Sequence, residues 1–259
     1  MGRIRLAVAL KNALRAVLNG CGLDVIRYQS PNTIEGHLHR LLPSLNVNCV
    51  IDVGAHHGEF ARLVRQVGYR GRIVSFEPVS TNFAVLQRAR RGDAEWRGMQ
   101  LALGEKSSVM AINVLAATDL SSFLTPTQDA KRWFGSASRI ARTELVQVKR
   151  LDDVIDACTD ALVMPRIFLK LDTQGFDLSV LNGATRTLER VVGLQTEIAV
   201  RALYKDVPLF PENVQRLIGL GFELTGLFGV AREPDWIAQI EFDCVMRRPG
   251  VSVAATARN

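Results

Sequence analysis

The stretch Val50-Ile51-Asp52-Val53-Gly54-Ala55-His56-His57-Gly58-Glu59-Phe60, followed by Ile73-Val74-Ser75-Phe76-Glu77-Pro78, decides how this chain folds. A short apolar run rich in β-branched residues enters a glycine turn and then a segment able to start a helix. A parallel sheet delivers backbone amides to a nucleotide-like ligand in this way. A second apolar run about twenty residues later ends in Glu77, placed to accept hydrogen bonds from ribose hydroxyls. Glycines alone also make ordinary tight turns. Spaced with Glu77, they predict a βαβ unit that holds an adenosine-containing cofactor.

Which cofactor follows from what is missing. A dinucleotide site needs three glycines in the pattern G-x-G-x-x-G, so that a pyrophosphate can sit on a helix N-terminus. Here the spacing is Gly54-x-x-x-Gly58, with two imidazoles where the middle glycine would stand. A phosphate loop would need Gly-Lys-Ser or Gly-Lys-Thr, and neither is present. The form D-V-G-A-x-x-G, with an acid closing the next strand, instead resembles the S-adenosylmethionine site of Rossmann-like methyltransferases. That cofactor has no pyrophosphate and does not require the third glycine. The same absence disfavours a nicotinamide-dependent oxidoreductase.

At 259 residues the chain can build one large α/β domain with a full core, and 47% hydrophobic with 22% charged residues is ordinary for a globular protein. No apolar run reaches the roughly eighteen residues needed to span a bilayer. The four cysteines are scattered without a C-x-x-C pair, three of them in apolar stretches. They read as reduced, buried thiols, and a reducing, cytoplasmic protein is expected. The histidines occur as His37/His39 and His56/His57, neither pair at the spacing of a helical metal motif, so no metal site is expected. The net charge of +6 is spread along the chain, and its densest cluster, Arg88-Ala89-Arg90-Arg91, ends a predicted helix, where cations suit the dipole. Aromatic residues are not interleaved with the charges, which argues against nucleic acid as a partner.

Residues 1–46 are expected to form an N-terminal helical segment, residues 47–248 the main domain, and residues 249–259 a frayed tail. Within the first nineteen residues Leu6, Leu10, Ala13, Leu14 and Val17 share one helical face, while Arg3, Arg5, Lys11 and Arg15 supply positive charge. Such a helix can pack on the domain or rest on an anionic membrane surface. Lys11 and Arg15 interrupt the apolar part too early for a secretory signal. From Pro31 a connecting segment leads into the domain. Strands are predicted over 49–53, 72–76, 100–103, 167–171, 193–198, 222–228 and 240–246. Helices are predicted over 60–67, 81–90, 151–157, 178–188 and 211–220. This alternation predicts a mostly parallel seven-stranded sheet with helices on both faces. Half-buried strands are expected at 109–115 and 145–149, with a polar excursion over 119–142 between them.

A second informative block is Phe168-Leu169-Lys170-Leu171-Asp172-Thr173-Gln174-Gly175-Phe176-Asp177. A β-run ends in a carboxylate at the mouth of the crevice that lies beyond the carboxyl ends of parallel strands. Asp177 reads as a helix N-cap. With both blocks in view, the chain resembles the FkbM family of S-adenosylmethionine-dependent methyltransferases, a class I, Rossmann-like fold. The resemblance rests on Asp52-Val53-Gly54-Ala55, Phe76-Glu77-Pro78, Ala102-Leu103-Gly104, Ser121-Ser122, Lys170-Leu171-Asp172, Gly175 and Val180-Leu181-x-Gly183. It covers roughly residues 47–246. Three positions depart from the family pattern: His56 replaces an asparagine, Gln174 replaces a glutamate, and Asp177 shortens another acid.

The resemblance implies S-adenosylmethionine as cofactor and O-methylation, often of sugar hydroxyls or polyketide-derived alcohols. A sugar acceptor carried on a glycolipid would bring the protein to a membrane surface. Gly54 is expected to let the backbone approach the methionine portion, beside Ala55 and Gly58 of the same turn. Asp52 fixes the loop or reaches the amino group through water, and Glu77, followed by Pro78, accepts from the ribose. By resemblance to the family layout, Ala102 and Leu103 flank adenine. An alcohol has a high pKa, so a base must take its proton during attack. Asp172 is the first choice, followed by His56 and His57. Glu197, closing the next apolar strand, can position the acceptor or join Asp172 around a divalent cation. Loss of catalysis in a cofactor-binding scaffold remains an alternative, raised by His56 and Gln174.

Overall fold

The computed structural model describes residues 32–233 and 237–250, with positions 17, 18, 20, 21, 30 and 235. The helix expected over residues 1–19, apart from Val17 and Leu18, and the tail from residue 251 lie outside the described residues. In chain order the strands are β1 (Cys49–Val53), β2 (Arg72–Phe76), β3 (Trp96–Met99), β4 (Ala102–Leu103) and β5 (Ser108–Leu115). They continue as β6 (Ile140–Lys149), β7 (Ile167–Leu171), β8 (Val191–Ala199), β9 (Glu223–Arg232) and β10 (Gln239–Arg247). The helices are α1 (Ile34–Ser44), α2 (Glu59–Gln66), α3 (Ser80–Ala89), α4 (Gln128–Phe134), α5 (Leu151–Cys158), α6 (Asp177–Asn182) and α7 (Phe210–Gly219).

Seven strands form one sheet in the order β3-β2-β1-β7-β8-β10-β9. The pairs from β3 to β8 are parallel, and β10 runs antiparallel between β8 and β9. Every residue of β1, β2 and β7 is buried, because helices cover both faces of the sheet. Such strands read as continuous apolar runs rather than as alternation. Ile51, Val74 and Leu169 face a core completed by Leu151 and Ile155 of α5 and Leu217 of α7. Their neighbours Val50, Ile73 and Phe168 face the opposite core, completed by Leu38 and Leu42 of α1 and Phe60 and Val64 of α2.

The residues after Pro31, expected only to connect, carry α1. Thr33 caps it by accepting from the Gly36 amide at 3.2 Å, and Leu38, Leu41 and Leu42 are buried. The third strand of the sheet is also different from the expectation. It is Trp96–Met99, whose polar sequence Trp-Arg-Gly-Met suits an edge position, and not residues 100–103. Trp96 anchors it, 3% exposed, with its indole N–H donating to Ser75 Oγ at 3.0 Å. Ala102 and Leu103 instead begin a three-stranded sheet, ordered β4-β6-β5, over the carboxyl end of the main one. The expected half-buried strands supply β5 and β6, although β6 starts earlier, at Ile140, which shortens the polar excursion. The helix expected over 178–188 stops at Asn182. A Cβ on Gly183 would meet the Gly104 carbonyl oxygen at 2.0 Å, so the chain turns where two backbones touch.

That contact ties α6 to the small sheet and therefore supports the roof of the site. Gly183→Ala should lower unfolding free energy by about 1–3 kcal/mol, as overpacking does, measured by denaturant titration. Gly219→Ala, where a Cβ meets nothing within 4 Å, is the control and should change stability by less than about 1 kcal/mol.

Candidate active site

The carboxyl ends of β1, β2 and β7, roofed by the small sheet and the 118–123 segment, enclose a cavity of about 310 Å³. This is the size class of a small-molecule site, and it lies where a doubly wound sheet places its ligand. Gly54, Ala55, His56, Glu77, Pro78, Ala102, Leu103 and Asp172 all line it. The turn after β1 is sewn to β2. The amides of Gly54 and Ala55 both donate to the Phe76 carbonyl at 3.0 Å. Glu77 accepts from the His56 amide and the Val79 amide, each at 2.8 Å. Gly54 has a φ of +75°, and a Cβ there would lie 1.8 Å from the Asp172 carbonyl oxygen. Only glycine fits this crossing of β1 and β7.

Four residues expected at the site stand outside the cavity wall. Asp52 is fully buried beneath the floor, where its Oδ2 accepts from Ser75 Oγ at 3.0 Å, so it supports the site without facing it. Burial pushes its carboxyl up to about 6, against the opposing charge of Lys170. Gly58, at φ +85°, opens α2 and packs so closely on Trp96 that a Cβ would sit 2.7 Å from the indole ring. His57 is stacked on His56, with ring centroids 3.6 Å apart. Glu197 lines a smaller neighbouring cavity of about 30 Å³ together with Asp177, Tyr204 and Glu241. Asp177 is not the N-cap, which is Phe176. Its Oδ1 accepts from the Thr173 amide at 3.0 Å and from the Thr173 hydroxyl, and its Oδ2 from Thr196 Oγ1 at 3.1 Å.

Asp172 sits at the cavity edge with a side chain 36% exposed. Lys170 donates to its Oδ2 and the Gln174 amide to its Oδ1, both at 2.9 Å. Burial opposes the charge of Lys170, but the carboxylates of Asp172 and Asp52 outweigh it and push its pKa up. The same Gln174 Nε2 donates to Glu197 Oε2 at 3.0 Å, so an amide fills the space where the two acids would have met a cation. Gln174 Oε1 accepts from the Tyr204 hydroxyl at 3.0 Å, and its carbonyl from Ser122 Oγ at 2.7 Å. Burial, then the charge of Asp172, pushes the Glu197 carboxyl well above its ordinary value. Sequence reasoning quoted Lys170 and Gln174 but gave them no role, and it missed Tyr204. For Lys170 a signal existed: a charge inside Phe-Leu-Lys-Leu, a run buried on both faces, has to be paired.

Residues 52–224 match the sequence profile of the methyltransferase FkbM domain. The chain belongs to the FkbM methyltransferase family. Its methyl donor is therefore S-adenosylmethionine. No functionally curated protein matches the chain. Among solved structures, a rRNA methylase from Streptococcus thermophilus is similar at 11% identity and a TM-score of 0.44, over 83% of this chain and 93% of that one. Aeropyrum pernix fibrillarin, with natively bound S-adenosyl-L-methionine, shows 10% identity and a TM-score of 0.43, over 82% of this chain and 74% of that one. The 1,6-didemethyltoxoflavin-N1-methyltransferase of Burkholderia thailandensis, with its substrate and S-adenosylhomocysteine bound, shows 14% identity and a TM-score of 0.44, over 94% and 89%. These are general likenesses and say nothing about the acceptor.

In this FkbM methyltransferase Glu77 is a buried carboxylate in the cavity wall, only 4% exposed. Its two oxygens accept from the His56 and Val79 amides, and the Asn82 side chain donates to the same carboxylate. Burial raises its pKa to about 7, although hydrogen bonds from Val79 and His56 pull the other way. A carboxyl raised above its unfolded value of 4.5 lowers folding stability progressively as pH climbs from there to about 7. Cofactor affinity should move in the opposite direction, because the ionised form accepts ribose hydroxyls more strongly. Titration calorimetry should find S-adenosylhomocysteine binding tighter at about pH 8 than at about pH 6 in the native protein. Glu77→Gln should bind about tenfold more weakly at the higher pH and lose most of that dependence. A pH response unchanged in Glu77→Gln would remove Glu77 as its source.

Proposed function

We propose that the protein transfers the S-adenosylmethionine methyl group to a hydroxyl of a saccharide, with the glycan of a glycolipid as the favoured acceptor. The observation that carries this reading is Asp172, an acceptor-only carboxylate held by two donors at the open edge of the cofactor cavity. Methyl transfer from a sulfonium is an in-line displacement, so most of the catalytic work lies in aligning acceptor oxygen, methyl carbon and sulfur. The hydroxyl becomes strongly acidic only as the new C–O bond forms. The Asp172 carboxylate, oriented by Lys170 and Gln174, is placed to receive the hydroxyl proton. His56, also in the cavity wall, stands second to Asp172 for this role. Glu197 acts through Gln174 rather than on the acceptor.

The rim of the cavity favours a sugar over a polyketide-type alcohol. Thr118, Asp119 and Ser121 line it with short polar side chains. Such a rim suits an acceptor carrying several hydroxyls, since each lost contact with water needs replacement. A glycolipid acceptor places the reaction at a membrane surface, on the cytoplasmic side by this reading. Among the described residues no helix is long and apolar enough to cross a membrane. Contact would then fall to Arg3, Arg5, Lys11 and Arg15, each contributing on the order of 1 kcal/mol near anionic lipid.

Asp172→Asn should keep S-adenosylhomocysteine affinity within a few-fold while lowering methyl transfer to saccharide acceptors by roughly 10²–10⁴, measured with isotopically labelled methyl donor. Collapse of cofactor binding with turnover preserved would instead make Asp172 a cofactor ligand. For the membrane, full-length protein should pellet with anionic vesicles at low salt and release as salt rises, whereas protein lacking residues 1–20 should stay in solution. Equal pelleting of the two proteins sinks the membrane contact.

A further inference from the structure

The methyl-transfer reading gives no work to the smaller cavity of about 30 Å³ beyond Gln174. Asp177, Glu197, Tyr204, Asn213 and Glu241 supply its polar wall, and no lysine, arginine or histidine among the described residues lines it. The side-chain donors around it are largely spent. The single Tyr204 proton is shared between Gln174 Oε1 and the Leu120 carbonyl. Gln174 Nε2 gives its two hydrogens to Asp172 and Glu197. Asn213 donates to the Pro208 carbonyl at 2.9 Å and keeps its side-chain oxygen as an acceptor.

Glu241 on β10 decides what such a wall is for. It is only 9% exposed, and no hydrogen bond from the described residues reaches its carboxylate, which lines the cavity. A buried acid without a donor carries the cost of its lost water in full. Burial, then the charges of Asp172, Asp177 and Asp243, pushes it up to about 8, so the empty cavity keeps a proton there near neutral pH. The acids of the wall do not converge as metal ligands do. Among the described residues, the one trio of metal-ligating atoms within 4.8 Å of one another lies elsewhere, at the start of α2.

The geometry points to a subsite for a primary ammonium on the acceptor, the chemistry of an amino sugar, with Glu241 as its ion-pair partner. An ammonium brings three donors and no acceptor, the complement of this wall. Its charge takes the place of the proton on Glu241, and a charge-assisted hydrogen bond is stronger than a neutral one. The cavity also lies within reach of the reacting hydroxyl. Both bonded to Gln174 Nε2, Asp172 Oδ1 and Glu197 Oε2 lie within about 6 Å of each other. One aminated ring therefore offers a hydroxyl to Asp172 and its ammonium to the cavity. The sugar rests on the acceptor reading above, whereas the cation does not.

The test uses full-length protein saturated with S-adenosylhomocysteine, titrated near neutral pH and followed by ligand-observed NMR. Methyl glucosaminide should bind about tenfold tighter than methyl glucoside or the uncharged methyl N-acetylglucosaminide. Glu241→Gln should erase that preference, with S-adenosylhomocysteine affinity in the same sample reporting that the variant is folded. Ethanolamine against ethylene glycol repeats the comparison without a sugar. Equal binding, or no binding, of charged and neutral probes by the native protein overturns the subsite, a result that needs no variant to fold. A preference that survives in Glu241→Gln overturns it too. Methylation of both glycosides in either case leaves the saccharide acceptor standing. Glu241-dependent binding of ethanolamine, with no glycoside methylated, supports the cation subsite and removes the sugar.

Discussion

The pairing of the buried Lys170 ammonium with two carboxylates holds the centre of this molecule together. Lys170 on β7 lies opposite Asp52 on β1 in the sheet register, with its ammonium 3.9 Å from Asp52 and 2.9 Å from Asp172. An unpaired lysine at that depth would neutralise or disrupt the core. Paired, it becomes the middle of a polar chain that crosses the sheet. The Trp96 indole on β3 donates to Ser75 on β2, and Ser75 donates to Asp52 on β1. Lys170 faces Asp52 from β7, and Asp172 closes the chain at the cavity edge. Breaking a buried charge pair costs far more than an exposed one, because the remaining charge loses its partner without regaining water. One Asp52 oxygen still has no hydrogen-bond donor, so the chain keeps some of that cost within itself.

The same chain explains why the edge strand carries Trp-Arg-Gly-Met and still belongs to the sheet. Trp96 fills the space that Gly58 leaves open at the start of α2, and its N–H orders Ser75. Glycine turn, edge strand and cavity floor therefore constrain one another. Above the floor, Gln174 does the equivalent work. Its side chain joins Asp172, Glu197 and Tyr204, while its carbonyl holds Ser122 of the segment that roofs the site. The single Tyr204 proton is shared between Gln174 Oε1 and the Leu120 carbonyl, 2.6 Å away, so the roof is tied to the loops after both β7 and β8.

What the sequence disclosed follows from where water is excluded. β1, β2 and β7 are buried on both faces, and their apolar runs match the structure residue for residue. Glu77 and Gly54 were legible because a strand end and a positive φ leave few choices of residue. The third strand was misplaced because its pairing is decided by one tryptophan, while Leu101 and Leu103 supply the apolar signal from the loop and the small sheet beside it. α1 was passed over because its apolar residues are set among histidine, arginine and an internal proline. The short α6 ends on a backbone contact with Gly104, distant in sequence, that no local pattern encodes. Asp52 and Gly58, expected to bind the cofactor, instead shape the floor and the helix start from outside the cavity wall.

The departure at position 174 looks different once its contacts are known. In sequence, glutamine in place of glutamate reads as the loss of a base or a metal ligand. In the structure its amide nitrogen donates to two carboxylates, and its oxygen accepts from a phenol whose pKa burial raises, keeping it protonated. A glutamate here would put a third negative charge between Asp172 and Glu197, in a region where burial already resists ionisation of Glu197. It would then need a proton or a cation to bridge them. Glutamine bridges them without either, and it leaves Asp172 with both oxygens held by donors at the cavity edge. Glutamine therefore removes a requirement of the site while preserving the orientation of Asp172 at the cavity edge.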